Sequence, residues 1–221
     1  MDDIIKTNKL SKQFKTTTAL DQVSISIPAG AIYGLIGNNG AGKTTLMSIL
    51  AKLQEQTSGS VSKKKNLKIG ALIETPAFYP MLSAYGNLKY QKEISGDGET
   101  DVKKLLAMAG LTDSKKPVRY YSLGMKQRLG LAMALVGNPD VLILDEPLNG
   151  LDPDGIRDVR SMIVELNRKY GKTILISSHI LGELQKVATH YGFLKNGKLI
   201  REFSNDVLDT DLETFYFENF A

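Results

Sequence analysis

The chain contains no cysteine. Disulfides and thiolate metal sites are therefore excluded, and the absence fits a reducing compartment. Also missing is any apolar run approaching the ~18 residues that a membrane span requires. The opening Met1-Asp2-Asp3 has neither the basic start nor the apolar stretch of a secretory leader, so the expectation is a chain that stays where it is made. No internal repeat, low-complexity tract or long linker interrupts it. The net charge of +4 is a mild basic excess that suits a nucleic acid, a membrane surface or neither. Its densest basic run, Lys63-Lys64-Lys65 with Lys68, lacks the interleaved aromatics of a single-strand binder and reads as a solvated turn.

The 221 residues are 42% hydrophobic and 24% charged, the composition of a globular protein with a real core. That length suits one compact unit carrying an inserted or appended subdomain. Its organising stretch is Gly37-Asn38-Asn39-Gly40-Ala41-Gly42-Lys43-Thr44-Thr45. The apolar run Ala31–Ile36 precedes it and Leu46–Ala51 follows, so the order is strand, glycine-rich loop, helix. This is the context of a phosphate-binding loop. Three glycines let the backbone N–H groups turn inward, and the helix N-terminus adds partial positive charge where an anion would sit. A triphosphate is the natural guest, with Lys43 reaching its β- and γ-phosphates and the Thr44 hydroxyl taking one place on Mg²⁺. The competing reading is a chance glycine turn capping a helix, and the flanking strand and helix count against it.

Before the loop, Val23-Ser24-Ile25-Ser26-Ile27 alternates apolar and polar and ends at Pro28, as a half-buried antiparallel strand does. Phe14, taken alone, reads as a core residue. After the loop helix, β-like sequence surrounds Val61 and runs from Leu67 to Ile73, and the two prolines of Glu74–Pro80 then break regular structure. From Asn87 to Val136 the pattern is helical, with Val102, Leu105, Leu106 and Ala109 on one face and Gly110 as a C-terminal cap. Ser122–Arg128 opens an apolar helix that stops at Gly137-Asn138-Pro139.

Val141–Leu144 is wholly apolar, as in a parallel strand buried on both faces, and ends in Asp145-Glu146-Pro147. Its carboxylates emerge where open α/β sheets hold their ligands. Asp152 and Pro153 read as the N-cap and first residue of a helix running to about Tyr170. Thr173–Ile176 is a further buried strand, ending in Ser177-Ser178-His179. Asn196-Gly197 suits a two-residue hairpin turn, and the tail from Asn205 reads as a short helix folded on the surface, with aromatics at Phe215, Tyr216, Phe217 and Phe220.

Hydrolysing a γ-phosphate requires a metal beside it, a water in line, and donors around the spreading charge. Asp145 is placed to hold Mg²⁺ through water, and Glu146 to orient and deprotonate the attacking water. For an isolated Asp-Glu pair a solvated turn is the usual alternative. His179 ends a buried strand on the same sheet edge, where it either faces the ligand or is satisfied by a backbone bond, and His190 reads as structural.

The order of phosphate loop, Ser122-Leu123-Gly124-Met125-Lys126-Gln127-Arg128, Leu144-Asp145-Glu146-Pro147, Asn149-Gly150-Leu151-Asp152 and Ser178-His179 resembles the nucleotide-binding subunit of ABC transporters over nearly the whole chain. The resemblance implies an α/β fold with a P-loop NTPase (RecA-like) mixed-sheet core, an N-terminal antiparallel β subdomain and an inserted helical subdomain. Within one ATP-binding domain of residues 1–221, the core then spans about 1–84 and 138–204, the insertion 85–137 and the tail 205–221. Phe14 is implied to stack on adenine, Ser122 and Gly124 to close over the γ-phosphate held by a second subunit, Asp152 to link the two sites, and His179 to contact the γ-phosphate, with Lys43, Glu146 and His179 as the catalytic set. ATP and Mg²⁺ are the implied cofactors, bound in a head-to-tail dimer of this chain or with a similar subunit.

Three positions depart from the family pattern. Glu74 stands where a glutamine commonly contacts Mg²⁺ and senses the membrane partner, and Leu123 and Met125 replace glycine and glutamine. With Glu74–Pro80, these departures look most like the branch that exports bacitracin or protects against lantibiotics. The expected protein is then an ATPase held on the inner face of the cell membrane by a separately encoded permease, with no nucleic acid. An ABC-type ATPase acting on nucleic acid or the ribosome is the alternative, but the chain has no room for the long coiled-coil arms or second nucleotide unit usual there. A phosphate-loop kinase or switch would leave Ser122–Arg128 and Ser178-His179 unexplained.

Overall fold

The computed structural model describes residues 2–112 and 115–220, so Met1, Asp113, Ser114 and Ala221 lie outside the described residues. Strands β1 (Asp3–Phe14), β2 (Thr17–Val23) and β3 (Ser26–Pro28) open the chain, followed by β4 (Ile32–Ile36) and helix α1 (Lys43–Leu50). Strand β5 (Ser58–Lys63) returns to pair with β1, completing an antiparallel sheet of order β2-β1-β3 with β5 beside β1. After β6 (Ile69–Leu72) come the helices α2 (Ala84–Ile94), α3 (Val102–Met108) and α4 (Leu123–Ala134). The chain then alternates β7 (Val141–Leu144), α5 (Pro153–Arg168), β8 (Thr173–Ser177) and α6 (Leu181–Gln185), and ends with the hairpin β9 (His190–Lys195) and β10 (Lys198–Ser204) and helix α7 (Leu212–Phe220). The second sheet has the order β10-β9-β4-β8-β7-β6, parallel except for β10 at its edge. Among the described residues, no helix is long and apolar enough to cross a membrane.

Two cores sandwich this mixed sheet, and each central strand feeds both. Side chains alternate across a strand with period two. Val141 and Ile143 therefore enter the core shared with α1 and the antiparallel sheet, among Leu10, Leu20, Leu46 and Met47. Leu142 and Leu144 enter the core shared with the helices, among Leu88, Leu106, Leu129, Val159 and Ile163. Burial on both faces is why the sequence of β7 shows no polar alternation. The phosphate loop leaves the middle of this sheet, and its flanking strands β8 and β9 are both parallel to β4.

Local signals act as read from the sequence at several boundaries. Asp152 Oδ1 accepts a hydrogen bond from Gly155 N at 2.9 Å, with Pro153 the first residue of α5. Asn196 and Gly197 take φ of 50° and 76°, the left-handed pair that a tight hairpin turn demands. The strand expected over Val23–Ile27 is instead divided. The Thr7 side chain enters the ladder between β2 and β3: its hydroxyl donates to Val23 O and accepts from Ile25 N, both at 2.9 Å. A long-range side chain thus ends one strand and starts the next, which local alternation does not reveal. The helical stretch expected from Asn87 begins earlier, at Ala84, because Ser83 Oγ caps it by accepting from Gly86 N at 3.1 Å.

Buried tyrosines stand on β4 and β9. Burial pushes the Tyr191 phenol up to about 12, while Tyr33 is held well above the ordinary value by burial and then by the charge of Glu202, to which it donates at 2.6 Å. An unfolded tyrosine ionises near pH ~10. The fold therefore favours the neutral phenols, and their contribution is complete below about pH 10 and lost as pH rises through the raised folded values. Tyr191→Phe should lessen the alkaline loss by on the order of 1–3 kcal/mol. Urea midpoints at about pH 8 and about pH 11 check this, and an equally steep decline in the variant would exclude Tyr191 as a source.

Candidate functional site

The loop between β4 and α1 is shaped by its glycines. A Cβ on Gly37 would stand 2.3 Å from Leu194 O, so β9 could not lie so close to any larger residue there. Gly40 and Gly42 take φ of +79° and +105°, in the left-handed region that favours glycine. Gly42 precedes α1 and offers no side-chain cap, so the first N–H groups of α1 are directed to whatever sits in the loop. Lys43 is buried, and its ammonium donates to Gly37 O at 2.6 Å and Asn38 O at 3.4 Å. Its Nζ lies 3.5 Å from Glu146 Oε1.

The end of β7 brings the two carboxylates against this loop. Asp145, itself buried, accepts at Oδ2 from the Thr44 hydroxyl at 2.7 Å and at Oδ1 from the Ser177 hydroxyl at 2.6 Å. Ser177 Oγ in turn accepts from Glu146 N at 2.8 Å, so one serine fixes both acidic residues. Glu146 has φ of 48°, which costs of the order of 1–3 kcal/mol for a side chain other than glycine. Its second carboxylate oxygen meets His179. Oε2 lies 2.7 Å from His179 Nδ1 and accepts from His179 N at 3.2 Å. Among the described residues the His179 ring is thus engaged by a carboxylate and not by the backbone bond that the sequence left open.

Phe14, Thr17 and Thr18 share a cavity of about 420 Å³ with Asn38–Thr45, Asp145 and Glu146. The Phe14 ring, 44% exposed and carrying Lys12 Nζ at 4.9 Å from its centroid, is a surface residue and not the core residue it resembles in isolation. Glu74 is in a different place. With φ of 58° it lines a cavity of about 640 Å³ that reaches Asp145 and Glu146. Among the described residues no hydrogen bond or ion pair joins Glu74 to Thr44 or Asp145. Buried Asn87 pins the far end of the Glu74–Pro80 loop, accepting from Tyr79 N at 2.8 Å and donating to Tyr79 O at 3.1 Å.

Ser122, Gly124 and Asp152 do not line the cavities of the phosphate loop in their own chain. Ser122 caps α4, accepting from Met125 N at 3.2 Å, and the exposed Leu123 lies against Gly150. A Cβ on Gly124 would find nothing nearer than 3.8 Å, so this fold does not itself require a glycine there. Two residues of the site carry weaker signals. Ser177 is an ordinary serine at a strand end, marked only by its buried apolar run, and Tyr216 in the tail donates to Asn38 Oδ1 at 2.9 Å.

Thus the structure sets a lysine, a hydroxyl, two carboxylates and an imidazole around one glycine-rich loop at the C-terminal edge of a parallel sheet. The family model described as ABC transporter matches residues 20–149, and the chain belongs to this family, whose nucleotide-binding units are ATPases. It is 46% identical over 211 residues to the lantibiotic transport ATP-binding protein SrtF of Streptococcus pyogenes, covering 92% of each chain. It is 43% identical over 214 residues to the bacitracin transport ATP-binding protein BcrA of Enterococcus faecalis, covering 91% of this chain and 70% of that protein. The solved dimeric structure of a bacterial ABC transporter cassette matches at 25% identity with a TM-score of 0.82, covering 91% of this chain and 98% of that one. These relatives support an ATPase of transport and do not favour the nucleic-acid or ribosome alternative.

Ser177→Ala should strip Asp145 of one donor and leave Glu146 N unpaired, destabilising the fold by about 1–3 kcal/mol. Denaturant unfolding measures it. A loss under about 0.5 kcal/mol would mean that water replaces the hydroxyl, and that the serine does not fix the carboxylates.

Proposed function

We propose that this ATPase subunit drives a separately encoded membrane permease exporting a peptide antibiotic of the bacitracin or lantibiotic type. The 46% and 43% identities to lantibiotic and bacitracin transport proteins support that cargo class. The permease would hold the subunit at the inner face of the cell membrane. Glu146, suspended between Lys43 and His179 beside the Thr44–Asp145 pair, is the observation that carries the catalytic reading.

Each residue's role follows from its partners. Lys43 now satisfies its ammonium with Gly37 O, Asn38 O and Glu146, and phosphate oxygens arriving in the loop compete for it. As Lys43 turns to them, Glu146 Oε1 is released to accept a proton from water, while His179 keeps the other oxygen oriented. His179 would then contact the terminal phosphate. Thr44 and Asp145 carry the hard oxygen donors that would hold Mg²⁺. Mg²⁺, when bound there, supplies charge neutralisation to the β- and γ-phosphates. Glu74, which shares the neighbouring cavity with Asp145 and Glu146, would act on Mg²⁺ affinity or on coupling to the permease through its charge.

Phe14 offers its open ring to adenine at the mouth of the loop cavity. Ser122 and Gly124 serve a second subunit. Glycine within a helix costs roughly 0.5–1 kcal/mol relative to alanine, and at 124 nothing in the same chain demands it. A phosphate approaching from a partner protomer does demand it, so two copies head to tail, or this chain with a similar subunit, would enclose two ATP molecules. Asp152, which caps α5 through Gly155 N at 2.9 Å, would lie on the loop joining the two sites.

Glu146→Gln should lower ATP turnover about 10²–10⁴-fold and accumulate an ATP-bound dimer, read by steady-state hydrolysis and size-exclusion chromatography. An unaltered rate would remove Glu146 from the role of base. Lys43→Ala should abolish measurable ATP binding, and unchanged affinity would refute the loop assignment. Cells lacking the chain should become sensitive to bacitracin or a lantibiotic. Unchanged sensitivity to both would overturn the cargo class while leaving the ATPase intact.

A further inference from the structure

We infer that Tyr216 of the C-terminal helix is a positioning residue for the ATP site, its hydroxyl holding Asn38 and through it the first turn of the phosphate loop. The inference rests on that loop being the nucleotide site.

Helix α7 spans only Leu212–Phe220, and isolated helices shorter than ~12 residues are marginal in water. Its order therefore comes from packing. Leu212 is fully buried, and its N–H donates at 3.0 Å to Gln185 Oε1, tying α7 to α6, the helix that follows His179. Phe203 stacks on Phe193 with centroids 5.5 Å apart and meets Phe215 edge-on at 5.1 Å. The Arg201 guanidinium lies over both Phe203 and Phe215, at 5.4 Å and 5.3 Å. Tyr216 is stacked on Phe193 at 6.1 Å with 24° between the rings.

Phe193 is the register partner of Ile36, the residue immediately before Gly37. The ring beneath Tyr216 and the start of the phosphate loop thus stand on adjacent parallel strands. From this base the Tyr216 hydroxyl donates to Asn38 Oδ1 at 2.9 Å. The carbonyl of the same asparagine accepts from Ala41 N at 3.0 Å and from Lys43 Nζ at 3.4 Å. Asn38 is a node with its side chain on the tail and its backbone on the catalytic lysine. Tyr216 also lines a cavity of about 470 Å³ with Gly37, Asn39, Glu146 and His179, so the tail forms one wall beside the proposed base.

A loop ordered before its ligand arrives loses less entropy on binding. Tyr216 thus acts on nucleotide affinity, and the aromatic cluster sets whether it can. Because Asn38 is exposed, the bond belongs at the weak end of the hydrogen-bond range, worth about two- to five-fold in affinity.

The test is a double-mutant cycle on the full chain, with ATP affinity read by calorimetry and KM and kcat by hydrolysis. Tyr216→Phe keeps the stacked ring and loses only the hydroxyl. It should weaken ATP about two- to five-fold, with the change falling in KM more than in kcat and Tm unmoved. The pair Tyr216→Phe with Asn38→Ala should bind no more weakly than Asn38→Ala alone. Wild-type affinity in Tyr216→Phe, or effects that multiply across the pair, would overturn the inference, as would a change confined to Tm. Lys43→Ala separates the two readings: if it loses ATP while Tyr216→Phe binds normally, only the positioning role fails, and if it binds normally the site itself is misplaced.

Discussion

A short chain of hydrogen bonds, from the Thr44 hydroxyl through Asp145 and Ser177 to the backbone of Glu146, joins three elements that are far apart in sequence. Helix α1 and the ends of strands β7 and β8 meet there, with two polar groups from the end of β7 and one each from α1 and β8. An Asp145 buried this deeply would be costly without partners. Thr44 and Ser177 supply them at 2.7 Å and 2.6 Å, so the carboxylate is held in one orientation. The Glu146 backbone, anchored by the same serine, can then adopt its left-handed turn and direct its side chain toward Lys43 and His179.

The two-sided core makes that arrangement rigid. Because β4, β7 and β8 are buried on both faces, their C-terminal ends cannot shift individually without opening one core or the other. The loop glycines follow from the same closeness: Gly37 lies so near β9 that a Cβ would overlap Leu194 O. Side chains on strand ends of this kind are more accurately placed than side chains on free loops. The Glu74–Pro80 loop and the start of α4 stand away from these strand ends, with Tyr79 and Leu123 exposed.

The apparent incompleteness of the single chain has a physical meaning. Gly124 gains nothing from being glycine inside its own protomer, and Leu123 is 52% exposed beside it. Such a surface leaves room beside the α4 N-terminus, which the proposed second subunit would fill. At the opposite side of the loop the tail makes the contrary contribution, bringing Tyr216 of the same chain onto Asn38. In the proposed arrangement the site would be framed by this chain's C-terminus and by a second subunit.

Much of this was legible in the residues alone. The phosphate loop, the doubly buried strand before Asp145 and Glu146, the cap at Asp152 and the Asn196-Gly197 turn are local signals, set by backbone sterics, capping and periodicity over a few residues. These fix element type and the order of the chemistry whatever the rest of the chain does. What only the tertiary structure decided are relations between residues distant in sequence: the Thr7 hydroxyl that divides the strand expected across Val23–Ile27, the carboxylate that engages His179, the serine that fixes both acids, the exposure of Phe14, and the tail tyrosine at the loop. No local pattern encodes them, because each is a hydrogen bond or a surface created only when the sheet order β10-β9-β4-β8-β7-β6 brings separate segments side by side.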